Sequence, residues 1–267
     1  MLRLRVATAA VGVPIVILAI WFGHPWFSLL LIAVTVCGAW ELYRMAGIDP
    51  RRPLIYLGVL WATALLLSPY YPSTAVLGVI TAVIILGSLA SLLGYSPRER
   101  ASRDWSWMIA GALYTGWMLS YWLSLRALPQ GREMVLLAIV ATFANDTAAF
   151  FVGRARGRHR LAPGISPAKT WEGAAGGVFG AVLGIVITAM VLKALFSFHF
   201  EHWQILLLGL AISVFAQLGD LVESLFKRNF KVKEAGFLLP GHGGVLDRFD
   251  SIIFVGVVMY YYVVWVL

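Results

Sequence analysis

Hydrophobic residues in this chain run in long blocks separated by short polar breaks. The blocks fall at about 6–22, 26–46, 54–69, 73–93, 105–128, 133–153, 170–196, 203–228 and 247–266. They are too long for strands, and most approach the roughly 20 apolar residues that one helix needs to cross a bilayer. The pattern predicts an all-α, polytopic membrane protein with about nine transmembrane helices. Residues 1–267 read as a single integral membrane domain, with helices of the N-terminal part in 1–130 and the chemistry-bearing helices and loops in 131–267. The third block is short and is parted from the fourth only by Pro69 and Pro72, so eight or ten helices also fit.

Composition agrees with the pattern. The chain is 60% hydrophobic and 13% charged, whereas soluble domains average about a quarter charged residues. Arg3 and Arg5 precede the first block as they would in a secretory signal. The block is long for a signal core, however, and no small-x-small cleavage site follows, so it reads as a retained span. Cys37 is the single cysteine, which excludes an intrachain disulfide and a cysteine-rich zinc site. Trp21, Trp26, Trp105, Trp107, Trp171, Trp203 and Trp265 lie near block ends, where indole rings favour the membrane interface.

Charge sets the expected orientation. With the N-terminus in the cytoplasm, every Lys and Arg except Arg126, Arg132 and Lys193 falls on the cytoplasmic side. That asymmetry follows the positive-inside rule and accounts for most of the net charge of +8 without a nucleic-acid partner. The lipid bilayer and its anionic headgroups are the natural partners for the remainder. The expected location is the inner (plasma) membrane, with the working face toward the cytoplasm.

Ionisable residues inside spans are costly and are functional candidates by default. The first five blocks hold one acid, Glu41, which reads as a structural partner for a base such as Arg44 and stays outside the candidate site. The last four contain or border Asp146, Glu172, Asp220, Glu223, Asp247 and Asp250. On the eighth block Gln217, Asp220, Glu223, Ser224 and Lys227 recur at intervals of three and four. At about 100° per residue they share a stripe roughly 120° wide. Asp220 then lies roughly 12 Å from the cytoplasmic helix end, at about 1.5 Å per residue. Mutual neutralisation of these charges along the helix is the simpler alternative.

Two polar connections complete the pattern. After the eighth block come Lys231, Lys233 and Glu234, then Pro240-Gly241-His242-Gly243-Gly244 and Asp247-Arg248-Phe249-Asp250. Glycines there let the backbone approach a phosphate and turn its amides inward, and a tight hairpin is the alternative use. Asp247 and Asp250 sit one turn apart at a helix start, where capping explains one acid better than two. After the sixth block come Arg154, Arg156, Arg158 and Arg160, then Ser166-Pro-Ala-Lys169-Thr170 at the expected start of a helix. This second segment could bind an anion, or serve topology alone. Carboxylates on separate helices among lysines and arginines suit Mg²⁺ and phosphoryl chemistry.

These stretches resemble the phosphatidate cytidylyltransferases (CDP-diacylglycerol synthases). The resemblance is carried by Ser224-Leu-Phe-Lys227-Arg228, Lys233-Glu234, Pro240 to Asp250, Asp146-Thr-Ala-Ala-Phe, Ser166 to Gly173 and Gln217-Leu-Gly219-Asp220. It is dense over about 140–255, and the first half shares only length and hydropathy. It implies a polytopic homodimer that condenses CTP with phosphatidate to CDP-diacylglycerol and pyrophosphate with Mg²⁺, a second cation being left open. Metal-binding carboxylates of the family map onto Asp220 and Asp247; Asp146 and Glu223, by their own placement, are candidates for supporting or alternative ligands. Asp146 and Lys227 join Asp220 and Asp247 as catalytic candidates. Lys169, Ser166, Arg228, Lys231, Lys233, His242, Gly243 and Gly244 are the candidates for holding the nucleotide and phosphates. Two positions depart from the family pattern: Glu234 stands where Asp is usual, and Ala168 where a base is common. A CTP-dependent lipid kinase and a cation-coupled transporter are the competing classes.

Overall fold

The computed structural model describes residues 2–92, 98–196, 201–238, 241 and 243–267. His242 and Pro240 therefore lie outside the described residues. The helices are α1 (Leu2–Phe22), α2 (Trp26–Met45), α3 (Pro53–Leu66), α4 (Ser73–Leu92), α5 (Ala101–Ala112), α6 (Met118–Ala127), α7 (Gly131–Arg156), α8 (Trp171–Phe196), α9 (His202–Asn229) and α10 (Leu246–Val266). All but the short pieces around 101–127 correspond to one hydrophobic block each. Among the described residues, six helices are long and apolar enough to cross a membrane: α2, α4, α7, α8, α9 and α10. The apolar part of α1, Ala10–Phe22, and α3 are shorter. The chain is thus an all-α membrane protein in its architecture, with one small hairpin described below.

The chain forms two compact units. The first comprises Met1–Ser124 and Phe230–Phe249, the second Leu125–Asn229 and Asp250–Leu267. The loop at 230–249, read from sequence with the C-terminal half, thus packs with the N-terminal helices.

In the first unit, Pro53 starts α3 at a position where its missing N–H costs nothing. A turn of 3₁₀ helix at Ser68–Tyr70 ends the apolar run before α4. Tyr43, Ile55, Trp61 and Met108 form the buried centre. The Tyr43 hydroxyl donates to the Met108 carbonyl at 2.9 Å. Its ring fills the space beside Gly58, where a Cβ would stand 2.7 Å from Tyr43 Cε2. The fifth block does not form one regular helix: a π-helical turn, Leu113–Trp117, joins α5 to α6. Such a turn frees carbonyls from the regular ladder, and Thr35 Oγ1 on α2 donates to the Thr115 carbonyl at 3.1 Å.

In the second unit, α7 and α8 pack closely because α8 presents glycines at helical spacing. Gly173, Gly177, Gly180 and Gly184 all face α7, the small-residue device by which helices approach without a hydrophobic driving force in lipid. A Cβ on Gly180 would lie 2.5 Å from both the Ala144 carbonyl oxygen and Ala148 Cβ. Gly180→Ala is therefore expected to cost about 1–3 kcal/mol through forced separation of the helices. The check is a lower apparent melting temperature in detergent, and an unchanged one would contradict this packing.

Between α7 and α8 the chain forms an antiparallel hairpin of β1 (Arg160–Ala162) and β2 (Ser166–Thr170). This corrects the expectation that Ser166 and Lys169 open a helix. They lie on a strand, and α8 begins at Trp171. The helix start is occupied by Thr170, whose Oγ1 accepts from the Gly173 amide at 3.1 Å, an N-cap made by the last strand residue.

Candidate active site

Side chains from three helices and the hairpin of the second unit meet around Asp220. Gly219 on α9 makes this possible, since a Cβ there would lie 2.5 Å from the Asp250 carbonyl oxygen on α10. With the two backbones this close, the Asp220 and Asp250 carboxylates act on each other electrostatically, and both act on Asp146 of α7. Lys169 from β2 supplies the counter-charge. Its Nζ stands 2.8 Å from Asp220 Oδ2, and it also donates to the Gln217 carbonyl at 3.4 Å. Ser224 Oγ donates to Asp220 Oδ1 at 3.3 Å. Asp220 keeps 38% of its side chain exposed and Lys169 20%, so the pair is open to a ligand rather than sealed.

Behind the carboxylates runs a buried polar chain. Gln217 Nε2 donates to Ser213 Oγ at 2.9 Å, and Ser213 Oγ donates to Asn145 Oδ1 at 2.6 Å. Asn145 Nδ2 in turn donates to Asp146 Oδ1 at 2.9 Å. Asn145 and Ser213 are fully buried. Gly177 leaves the room they need, because a Cβ there would lie 2.5 Å from Asn145 Oδ1. The chain fixes where Asp146 points and ties α7 to α9 at a buried position, where an unpaired amide would be costly.

Glu223 and Lys227 pair with each other one turn apart on α9, and the Glu223 side chain is fully buried. Here the local neutralisation that competed with the functional reading is what the geometry holds, although Lys227 also acts electrostatically on Asp250. Arg228, expected to meet phosphate, donates from Nε to the Ile165 carbonyl at 3.0 Å and so pins the hairpin turn to the end of α9. Glu172 accepts from the Arg158 and His159 amides at 3.1 and 3.2 Å and pairs with His159 Nδ1 at 2.6 Å, closing the hairpin against the start of α8.

The remaining candidates lie in the first unit. Asp247 Oδ2 accepts from the Ala235 and Gly244 amides at 2.9 Å each. It therefore folds the glycine-rich loop as well as standing at the start of α10. Gly241 and Gly243 have φ of 77° and 84°, left-handed values that favour glycine. Lys231 and Lys233 are exposed on the same loop.

Three residues stand out that the sequence reading did not place in the site. Asp250 acts electrostatically on Asp220, and its place one turn beyond Asp247 was the available signal. Asn145 was visible only as a polar neighbour of Asp146. Glu41 does not serve as a partner for Arg44: its two oxygens accept from the Val245 and Leu246 amides at 3.0 and 2.9 Å. Its place as the single acid of α2 was a signal, but its partners lie 204 and 205 residues away.

A model of the cytidylyltransferase family matches residues 3–266. The chain belongs to this family. Among curated relatives, a protein of Bacillus subtilis named phosphatidate cytidylyltransferase is 33% identical over 264 residues, covering 97% of each chain. One of that name from Synechocystis is 30% identical over 301 residues, covering 98% of this chain and 97% of the relative. Another, from Staphylococcus epidermidis, is 41% identical over 152 residues, covering 57% of this chain and 56% of the relative. The family match takes in the carboxylate cluster of the second unit and the Asp247 loop of the first alike.

The donor set bears on the metal that the family resemblance implies. Asp146, Asp220 and Asp250 offer hard carboxylate oxygens whose charges act on one another. Among the described residues, no three such side chains converge tightly enough to hold an ion by themselves. Such a set fits Mg²⁺, which takes one or two carboxylates and completes its shell with water and substrate phosphates.

Proposed function

We propose that the chain transfers the CMP moiety of CTP to phosphatidate, giving CDP-diacylglycerol and pyrophosphate for phospholipid synthesis. The observation that carries this reading is a family match over nearly the whole chain that includes the Asp146, Asp220, Asp250 and Lys169 cluster. In the proposed reaction a lipid phosphate oxygen attacks the α-phosphorus of CTP. A new P–O bond forms as the bond from the α-phosphorus to the bridging oxygen breaks, and pyrophosphate leaves with that electron pair. Phosphatidate is already an anion, so no protein nucleophile is required.

The work left to the protein is to bring two repelling anions together in line and to offset their charge. Lys169, next to Asp220 and only partly exposed, is placed to contact a phosphate oxygen. Lys227 belongs to the same electrostatic neighbourhood. The Asn145–Ser213–Gln217 chain holds Asp146 in place, and Arg228 holds the hairpin from which Lys169 projects. Asp220, with Asp250 and Asp146 beside it, is the proposed holder of Mg²⁺. Ligation is proposed separately for Asp247 from the family resemblance, and for Glu223 as an alternative ligand from its place on the same stripe as Asp220. When bound, Mg²⁺ would offset charge on the phosphate oxygens and on the departing pyrophosphate. Lys231, Lys233, His242, Gly243 and Gly244 are proposed to bind the triphosphate, and Ser166 of the hairpin is proposed separately as a phosphate-binding group.

Nine spans, a cytoplasmic N-terminus and a site facing the cytoplasm at the inner membrane belong to the same proposal, supported by the one-sided distribution of Lys and Arg. So does a homodimer. The test of the reaction class uses CTP labelled at the α- or at the γ-phosphate, with the purified protein and phosphatidate in mixed micelles. The reading predicts α-label in the lipid product and γ-label in pyrophosphate. Label from the γ-phosphate in a lipid would instead indicate a kinase, and labelled substrate crossing a vesicle without CTP consumption a transporter.

A further inference from the structure

In the first unit, Glu41 of α2 is only 3% exposed, yet among the described residues its carboxylate is held by backbone amides rather than by an ion pair. Its Oε1 accepts from the Val245 amide at 3.0 Å and its Oε2 from the Leu246 amide at 2.9 Å. These are amides at the start of α10, which the helix leaves without internal partners. A carboxylate normally supplied from the preceding loop is thus supplied across the fold, with the favourable helix-dipole geometry that such a position gives.

Two glycines of the loop are explained by the same carboxylate. A Cβ on Gly236 would lie 2.5 Å from Glu41 Cδ, and one on Gly244 would lie 2.6 Å from Glu41 Oε2 and 2.7 Å from the Gly236 nitrogen. Neither glycine has a positive φ among those recorded, so their small size matters here rather than backbone freedom. Asp247 binds the loop from the other end through the Ala235 and Gly244 amides. Ala235, Gly236, Gly244, Val245 and Leu246 are therefore held by two acids, one local and one from a distant helix.

We infer that Glu41 is a positioning residue that holds Gly236 on one side of the glycine-rich turn, and Gly244, Val245 and Leu246 on the other, in the arrangement that binding of the CTP triphosphate requires. This inference rests on the proposed role of that loop in nucleotide binding. Glu41 itself need touch no substrate. It acts by fixing Val245, Leu246 and the two glycines, and through them the start of α10.

The test compares the full-length protein with Glu41→Gln, which keeps the shape but can accept at only one of its two terminal atoms. One readout is independent of catalysis: the rate of tryptic cleavage after Lys231 and Lys233, both exposed, followed by mass spectrometry. The other is steady-state kinetics with CTP and phosphatidate varied in turn. The expected result is faster loop cleavage, together with a CTP KM raised by about tenfold or more. The phosphatidate KM should be nearly unchanged. The size corresponds to the loss of one charge-assisted hydrogen bond.

A folded variant whose loop is cleaved no faster overturns the positioning role. Faster cleavage with an unchanged CTP KM overturns instead the assignment of the nucleotide to this loop. If Glu41→Gln does not fold, Gly236→Ala probes the same contact from the opposite side and should loosen the loop and raise the CTP KM likewise. In a Glu41→Ala background, where the clash is gone, adding Gly236→Ala should raise that KM no further. Full additivity of the two would overturn the inference.

Discussion

Asp220→Asn is expected to lower CTP-dependent formation of the lipid product by about 10³-fold or more, while the protein still folds and elutes as the wild type does. Asparagine has nearly the same shape as aspartate, so the α9–α10 packing at Gly219 and the hydrogen bond from Ser224 can persist. What disappears is the negative charge. The ion pair with Lys169 is lost, and so is the one carboxylate that lies beside both Asp146 and Asp250 and remains 38% exposed. A structural role alone would predict a thermal shift with modest kinetic loss. The metal-holding role predicts the reverse, with no recovery when Mg²⁺ is raised. Turnover in radiolabelled CTP assays and melting in the same detergent separate the two, and near-normal turnover would remove Asp220 from the proposed metal site.

The second large effect is expected at Lys169. Lys169→Met should reduce kcat/KM by about 10²- to 10³-fold, the range typical for removing one preorganised charge from a transferring group. The methionine replaces the length of the side chain but not its charge, leaving the carboxylates of Asp220, Asp146 and Asp250 to repel one another without the 2.8 Å counter-ion. Lys169→Arg should recover only part of the activity, because a planar fork does not occupy the place of a compact ammonium. Kinetics of the three proteins side by side provide the check. Equal activity in the wild type and Lys169→Met would mean that Lys169 serves only the hairpin.

Much of this was legible from the sequence because it depends on local pattern. Long apolar blocks give helices wherever backbone polar groups must be satisfied within the segment, and α2, α4, α7, α8, α9 and α10 follow those blocks closely. The stripe of Gln217, Asp220, Ser224 and Lys227 was likewise a consequence of helical spacing. Hidden from local pattern were the features set by partners distant in sequence. The π-helical turn at Leu113–Trp117 takes its shape beside α3, where a Cβ on Gly116 would stand 2.7 Å from Ala62 Cα. The hairpin at 160–170 has strands of only three and five residues, too short for alternation to show.

The acids divide along the same line. Spacing alone makes Asp247 and Asp250 near equivalents, one turn apart at a helix start. The structure gives them different work: Asp247 accepts loop amides, whereas Asp250 shares its surroundings with Asp220 and Asp146. Glu223 and Asp220 likewise lie on one stripe, but Glu223 is sealed against Lys227 while Asp220 remains accessible. Which acid stays accessible is decided by packing at Gly219 and by the hairpin that delivers Lys169, and neither can be read from a helical wheel.

The central claim, that this chain joins CMP to phosphatidate with the help of its carboxylate cluster, is tested most directly by one measurement. Purified protein in liposomes is given phosphatidate and CTP, with Mg²⁺ or with EDTA, and pyrophosphate and CDP-diacylglycerol are quantified together. The account predicts the two products in equal amounts, dependent on both substrates and on Mg²⁺, and absent with Asp220→Asn. Pyrophosphate-free consumption of CTP, or equal product formation in EDTA, would contradict it.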